Sequence, residues 1–151
     1  MPRGSVFLFM GDAEGKNRNN DPADPARYVE RRLLDSYPAA FLNATVLKLA
    51  HHGSETSSTL EFIQTVDPEI IVVQSGQRVY SGRTLPDATV LERYCQHNPA
   101  IEIYRTDQND EADGLTAAND EDGDHIVIRT NGQTLQVEAR QGGAPFTPTA
   151  C

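Results

Sequence analysis

Two stretches place cation- or phosphate-binding residue types at the end of an apolar run: "FLFMGDAE" (7–14) and "LKLAHHGSETSS" (47–58). In the first, Asp12 follows a glycine at a strand end, where the chain can leave a sheet and project a carboxylate into a cleft. Carboxylate oxygens bridge divalent cations, and imidazole suits zinc- and manganese-type sites. In the second, His51 and His52 are adjacent in a chain with four histidines. Successive strand side chains face opposite ways, so both rings reach one site only if the backbone turns there. Gly53 permits that turn. Ser54, Thr56, Ser57 and Ser58, with the free amides of a following helix, could then hold a phosphate. Each signal also has a structural reading. Gly-Asp makes turns, a histidine pair can be incidental to an exposed loop, and Ser57 and Ser58 can cap the next helix.

These residues must be positioned by alternating strands and helices. Ser5–Met10 reads as a short buried strand, and Asp24 with Pro25 opens a helix through about Ser36. Ala44–Ala50 is a second strand. Ser58 with Glu61 forms a capping-box pattern for a helix that Pro68 ends. The β-branched run Ile70–Ser75 predicts a strand buried on both faces. A helix from Pro86 to about Gln96 and a strand at Ile101–Arg105 follow. "HIVIRTNGQTLQVEA" is a hairpin closed by Asn-Gly. The layout is α/β, with residues 140–151 expected to be a disordered tail.

The net charge of −9 is concentrated rather than spread. Residues 107–124 hold eight acids and no base, so the rest of the chain is close to neutral. An overall acidic balance argues against nonspecific nucleic-acid binding, but here it describes one segment. Residues 109–122 read as a solvated insertion. A calcium loop in "ANDEDGD" is disfavoured because its required acidic first position falls on Ala118. No apolar run is long enough to span a bilayer, which predicts no membrane partner. The start of the chain lacks the pattern of a signal peptide. Cys95 and Cys151 make no disulfide framework and no Cys-x-x-Cys pair, so the expected compartment is a reducing cytoplasm.

The order "FLFMGDAE", "ATVLKLAHHGSETSS", "DPEIIVVQSGQ", "VLERY", "IEIYRTDQ" and "DGDHIVIRTNGQTLQVEA" resembles the carboxyl-terminal half of metallo-β-lactamase-fold hydrolases. It is most similar to the hydrolase domain of ComEC-type DNA-uptake proteins and their stand-alone relatives. The resemblance implies that residues 1–139 form half of an αββα sandwich: one mixed sheet, helices on its outer face, and a terminal hairpin. It makes Asp12 a bridging metal ligand and places His51, His52, Gly53 and Ser54 beside the metals. His51 or His52 would be a catalytic acid or an outer-shell group. Gly53, Ser54, Ser57 and Arg83 would contact substrate or phosphate. The implied cofactor is zinc or manganese. The implied reaction is attack of a metal-activated water on a phosphodiester, with nucleic acid a possible substrate.

This chain departs from the family twice. It has no His-x-His-x-Asp-His motif, which belongs to the amino-terminal half. The family's Tyr-Gly-His-Pro loop is replaced by "VYSGRTLPD", with Arg83 and Thr84 but no histidine. A half-sandwich would also leave an apolar inner sheet face, built from Leu47, Leu49 and Ile70–Val73, without cover. A separately encoded amino-terminal half, or a homodimer, is therefore expected as partner. The rival reading is a non-catalytic, degenerate binding or interaction module of the same fold.

Overall fold

The structure is a computed structural model describing residues 4–76, 79, 82–107, 125–141, 144–145, 147–149 and 151. The expected acidic insertion lies outside the described residues. Four short strands, β1 (Phe7–Phe9), β2 (Val46–Lys48), β3 (Ile70–Val73) and β4 (Glu102–Arg105), form a parallel sheet in sequential order. Right-handed crossovers that progress one way along a sheet put their helices on one face. Those helices are α1 (Tyr28–Ser36), α2 (Ala39–Leu42), α3 (Leu60–Val66) and α4 (Ala88–His97).

Strand alternation divides the core. Leu47, Ile71, Val73 and Ile103 belong to a cluster with Phe62, Ile63 and Val66 of α3 and Val90 and Tyr94 of α4. Their neighbours Val46, Ile70 and Tyr104 turn to the other face and join a second cluster. There they meet Ile126, Ile128, Leu135, Val137 and Ala139 of β5 (His125–Thr130) and β6 (Leu135–Gln141). This corrects two expectations. The hairpin does not extend the parallel sheet into one mixed sheet; it belongs to a separate antiparallel sheet, β5-β6-β7, with β7 at Ala144–Pro145. The apolar face expected to lie bare is instead covered from within. Val46, Ile70 and Tyr104 are all buried there, while Leu47 and Leu49 lie in the cluster that the helices cover. Sequence periodicity identifies the hairpin but not the surface on which it lands.

Two helix starts also move. Helix α1 begins at Tyr28 rather than at Pro25. The carbonyl of Gly15 accepts from Arg27 N at 2.6 Å, and that of Glu14 accepts from Val29 N and Glu30 N at 3.1 and 3.2 Å. A neighbouring loop thus supplies the acceptors that a capping side chain would otherwise provide. Helix α3 is capped by Thr59, which accepts from Phe62 N at 3.4 Å, rather than by Ser58. The Ser58 hydroxyl is engaged with Ser57 Oγ and Tyr94 OH, and Glu61 accepts from Ala26 N and Arg31 instead of closing a capping box.

At its described positions the end of the chain makes backbone and disulfide contacts with the rest of the fold. Ala144 and Pro145 pair with β6, Thr149 N donates to Ile103 O at 2.8 Å, and Cys151 is disulfide-bonded to Cys95 of α4. The two cysteines, which make no framework by sequence, thus form one bond. The pair lies 56 positions apart, and sequence carries no signal for that contact. Among the described residues no helix is long and apolar enough to cross a membrane.

Candidate functional site

Because β1, β2 and β3 are parallel neighbours, the loops leaving their carboxyl ends lie side by side. This is where open α/β sheets bind ligands. His51 N donates to Gly11 O at 2.8 Å, joining the Gly-Asp loop to the histidine pair. A cavity of about 840 Å³ opens there. It is lined by Asp12, His51, His52, Ser54 and Arg83 of the sequence-predicted residues, together with Arg18, Thr56, Leu85 and residues 74–76. Residues up to 73 positions apart in sequence, Asp12 and Leu85, thus share one cavity.

The turn that brings both rings to the cavity is built by three residues, not by Gly53 alone. His51, His52 and Gly53 have φ of 47°, 55° and 79°. Left-handed backbone at two consecutive non-glycine residues is unfavourable and persists only where its surroundings hold it. Here the β1 loop and the 3-10 turn Ala50–Gly53 hold it. His52 Nδ1 lies 2.5 Å from the Gln74 carbonyl, which can only accept, so that nitrogen carries a proton. His52 Nε2 then faces Asp12 Oδ1 at 3.3 Å. With Nδ1 protonated, these two atoms meet favourably only across a second proton or a cation. His51 Nδ1 lies 3.1 Å from Thr56 Oγ1 and 3.4 Å from Glu14 Oε1. Both rings therefore have acceptors at Nδ1, the pattern that orients a histidine to use Nε2.

Not all predicted residues face the cavity. Ser57 is fully buried, and its hydroxyl donates to the carbonyls of Ala50 and Ser54. Its role is to hold the loop rather than to contact phosphate. Gly53 is wedged against Pro86 and Leu49. Arg83 is exposed at the cavity rim. His97 pairs with Asp67 beyond α3, and His125 starts β5, so neither joins the pair.

Sequence reading missed the groups behind the loop. Arg18 donates to Ser54 Oγ at 3.0 Å and to Asp87 Oδ2 at 2.9 Å, and Asp87 Oδ2 also accepts from Glu55 N at 2.7 Å. Deeper in, Glu55 pairs with Lys16 at 2.9 Å and with Arg93 at 3.0 Å. Lys16 and Arg93 are themselves buried. Burial alone would push the Glu55 carboxyl up, but Lys16, Thr89 and Arg93 together hold it below its ordinary range. Glu30 is buried outright and accepts from Ser58 N, Thr59 N and Thr59 Oγ1 at 2.5, 3.0 and 2.7 Å. Desolvation raises its pKa, against the lowering effect of those hydrogen bonds and of Arg93. Lys48, on the strand leading to the histidines, is lowered by burial, with Asp12 acting against that shift.

Asp12 and His52 offer two converging donors, and among the described residues no group of three or more His, Cys, Asp or Glu side chains is arranged to hold a metal ion. A zinc centre needs at least three protein ligands. The donors described here do not make up such a centre on their own.

The class defined by fold and site is thus an open α/β protein with a polar cavity at the carboxyl ends of its parallel strands. By sequence, the chain is similar to ComE operon protein 3 of Bacillus subtilis (strain 168), with 34% identity over 106 residues, covering 70% of this chain and 11% of that protein. It is also similar to Competence protein ComA of Neisseria gonorrhoeae, with 33% identity over 104 residues, covering 69% and 13%. A third relative is Recombination protein 2 of Haemophilus influenzae, with 28% identity over 95 residues, covering 63% and 10%. The matched region is only about a tenth of the length of these relatives. No family model and no solved structure matches the chain.

Proposed function

We propose that this chain is one half of a metallo-β-lactamase-like hydrolase of the competence and DNA-uptake kind, and that it forms one wall of a zinc- or manganese-dependent phosphodiesterase site. The observation that carries this reading is the convergence of Asp12, His51, His52, Ser54 and Arg83 on one cavity. Its support from outside the chain is the similarity to Competence protein ComA and to ComE operon protein 3. Asp12 and His52 would be the chain's donors to the metal. Arg83 and Ser54 would face the anionic backbone of a nucleic acid. The missing donors would come from an amino-terminal half bearing His-x-His-x-Asp-His, carried on the same polypeptide or on another. A homodimer is the weaker partner reading, since the hairpin already covers the apolar face that argued for it.

The test is reconstitution. The chain mixed with such an amino-terminal half and zinc or manganese is expected to cleave a fluorescent single-stranded oligonucleotide. The chain with metal alone should not. Asp12→Ala should lower the reconstituted rate by more than about a hundredfold, beyond the 10- to 100-fold that outer-shell partners supply. An unchanged rate would remove Asp12 from the site. The second reading, a non-catalytic binding module, is favoured by the absence of a three-ligand group among the described residues. It predicts oligonucleotide binding without cleavage in the same mixture.

A further inference from the structure

The end of the chain forms a second cross-connection. Strand β4 closes one side of the parallel sheet, and such an edge offers unpaired backbone groups to any passing strand. After β7 the chain returns to this edge. Thr149 makes an antiparallel bridge to Ile103, its amide donating to the Ile103 carbonyl at 2.8 Å. Two residues further on, Cys151 is bonded to Cys95 of α4, with Cα atoms 5.3 Å apart. The disulfide and the backbone bridge place the same short segment independently. Thr149 and both cysteines also line a cavity of about 590 Å³, together with Leu91, Pro99, Ile103 and Arg105.

We infer that Thr149 and Cys151 anchor a disulfide-locked strap at the β4 edge, and that the protein works in an oxidising compartment. The cytoplasmic expectation rested on reading the two cysteines as unpaired. With Cys95 and Cys151 paired, that basis is gone, because structural disulfides form and persist outside the reducing cytosol. A dithiol reductant opens the strap by supplying two electrons and two protons. It leaves as its own disulfide, and Cys95 and Cys151 become thiols. A single bond thereby controls the pairing edge of β4.

Two measurements test this on the full chain. The first quenches cells of the source organism in acid and alkylates with a mass-tagged maleimide, before and after reduction. The expected result is no tag before reduction and two tags after it. Two tags before reduction would overturn the assignment of compartment. The second follows amide hydrogen exchange in the folded protein. Reduction, or Cys151→Ser at its exposed position, is expected to speed exchange at Thr149 by at least tenfold while β2 and β3 keep their protection. Unchanged exchange at Thr149 in both the reduced protein and the variant would show that the disulfide does not hold the strap.

Discussion

Glu30→Ala is expected to lower the unfolding free energy by about 3–5 kcal/mol, the range for removing one partner from a buried charged network. Its carboxylate is inaccessible to solvent and accepts from two backbone amides and one hydroxyl, Ser58 N, Thr59 N and Thr59 Oγ1. Alanine leaves all three donors buried without that acceptor, at about 1–3 kcal/mol for each that finds no other partner. Relief by movement is restricted on one side, because a side chain on Gly15 would sit 1.9 Å from Glu30 Oε2, so backbone already presses against the carboxylate. Glu30→Gln keeps one acceptor oxygen and should cost less. Urea denaturation of the three proteins at neutral pH checks the ranking, and a loss under about 1 kcal/mol for Glu30→Ala would place it with ordinary surface substitutions.

The pH dependence gives a second readout of the same residue. Burial raises the folded-state pKa of Glu30 above its ordinary value of 4.5. In the window between the two values the folded protein binds more protons than the unfolded chain, so stability falls as pH rises through it. Measured as the difference between wild type and Glu30→Gln, the wild-type advantage should be greatest below pH 4.5 and should shrink above it. Glu55 runs the other way, since its pKa is depressed and its contribution is lost as pH falls. Both proteins retain Glu55, so it cancels in the difference. A wild-type advantage that grows with pH would contradict the raised value for Glu30.

What the sequence disclosed follows from how each contact is encoded. Apolar runs such as "IIVV", the Asn-Gly turn and the positions of Asp12 and His51–His52 at strand ends are local patterns, and all four strands, three helices and the hairpin were legible from them. The sequence put Asp12 beside the histidine pair only through the family resemblance; the parallel order that brings their strand ends together is a feature of the fold. Lys16, Glu30 and Arg93 were not, because a charged residue reads as surface until its partners are known. Their long-range partners lie 28 to 39 residues away, at Ser58, Thr59 and Glu55. The Cys95–Cys151 bond is longer-ranged still. Ser57 misled because a hydroxyl serves equally well to bind phosphate or to tie a loop to its own carbonyls, and only burial distinguishes the two uses.

Gly53→Ala is expected to cost about 2–5 kcal/mol, made up of two separable parts. The left-handed backbone at φ 79° costs an alanine roughly 1–2 kcal/mol. The added methyl would also lie 2.5 Å from Pro86 Cβ, 3.2 Å from Pro86 Cα and 3.1 Å from Leu49 Cδ2, so the loop carrying Pro86 must move. Overpacking of that kind costs about 1–3 kcal/mol. Gly11→Ala isolates the first part, because Gly11 also has positive φ but nothing within 4 Å of an added methyl. The difference between the two variants is the steric contribution, and equal losses would mean that Pro86 yields freely. Movement of Pro86 should also reach the cavity, since Gly53 follows His52 directly and its carbonyl accepts from Asp87 N at 2.9 Å. Asp87 in turn anchors Arg18 and the Glu55 amide. The ring ¹⁵N resonances of His52 should therefore report a weakened Nδ1 bond to Gln74 in Gly53→Ala and an intact one in Gly11→Ala. Identical His52 spectra in the two variants would show that the histidine turn is held by the β1 loop alone, with no contribution from the fit between Gly53 and Pro86.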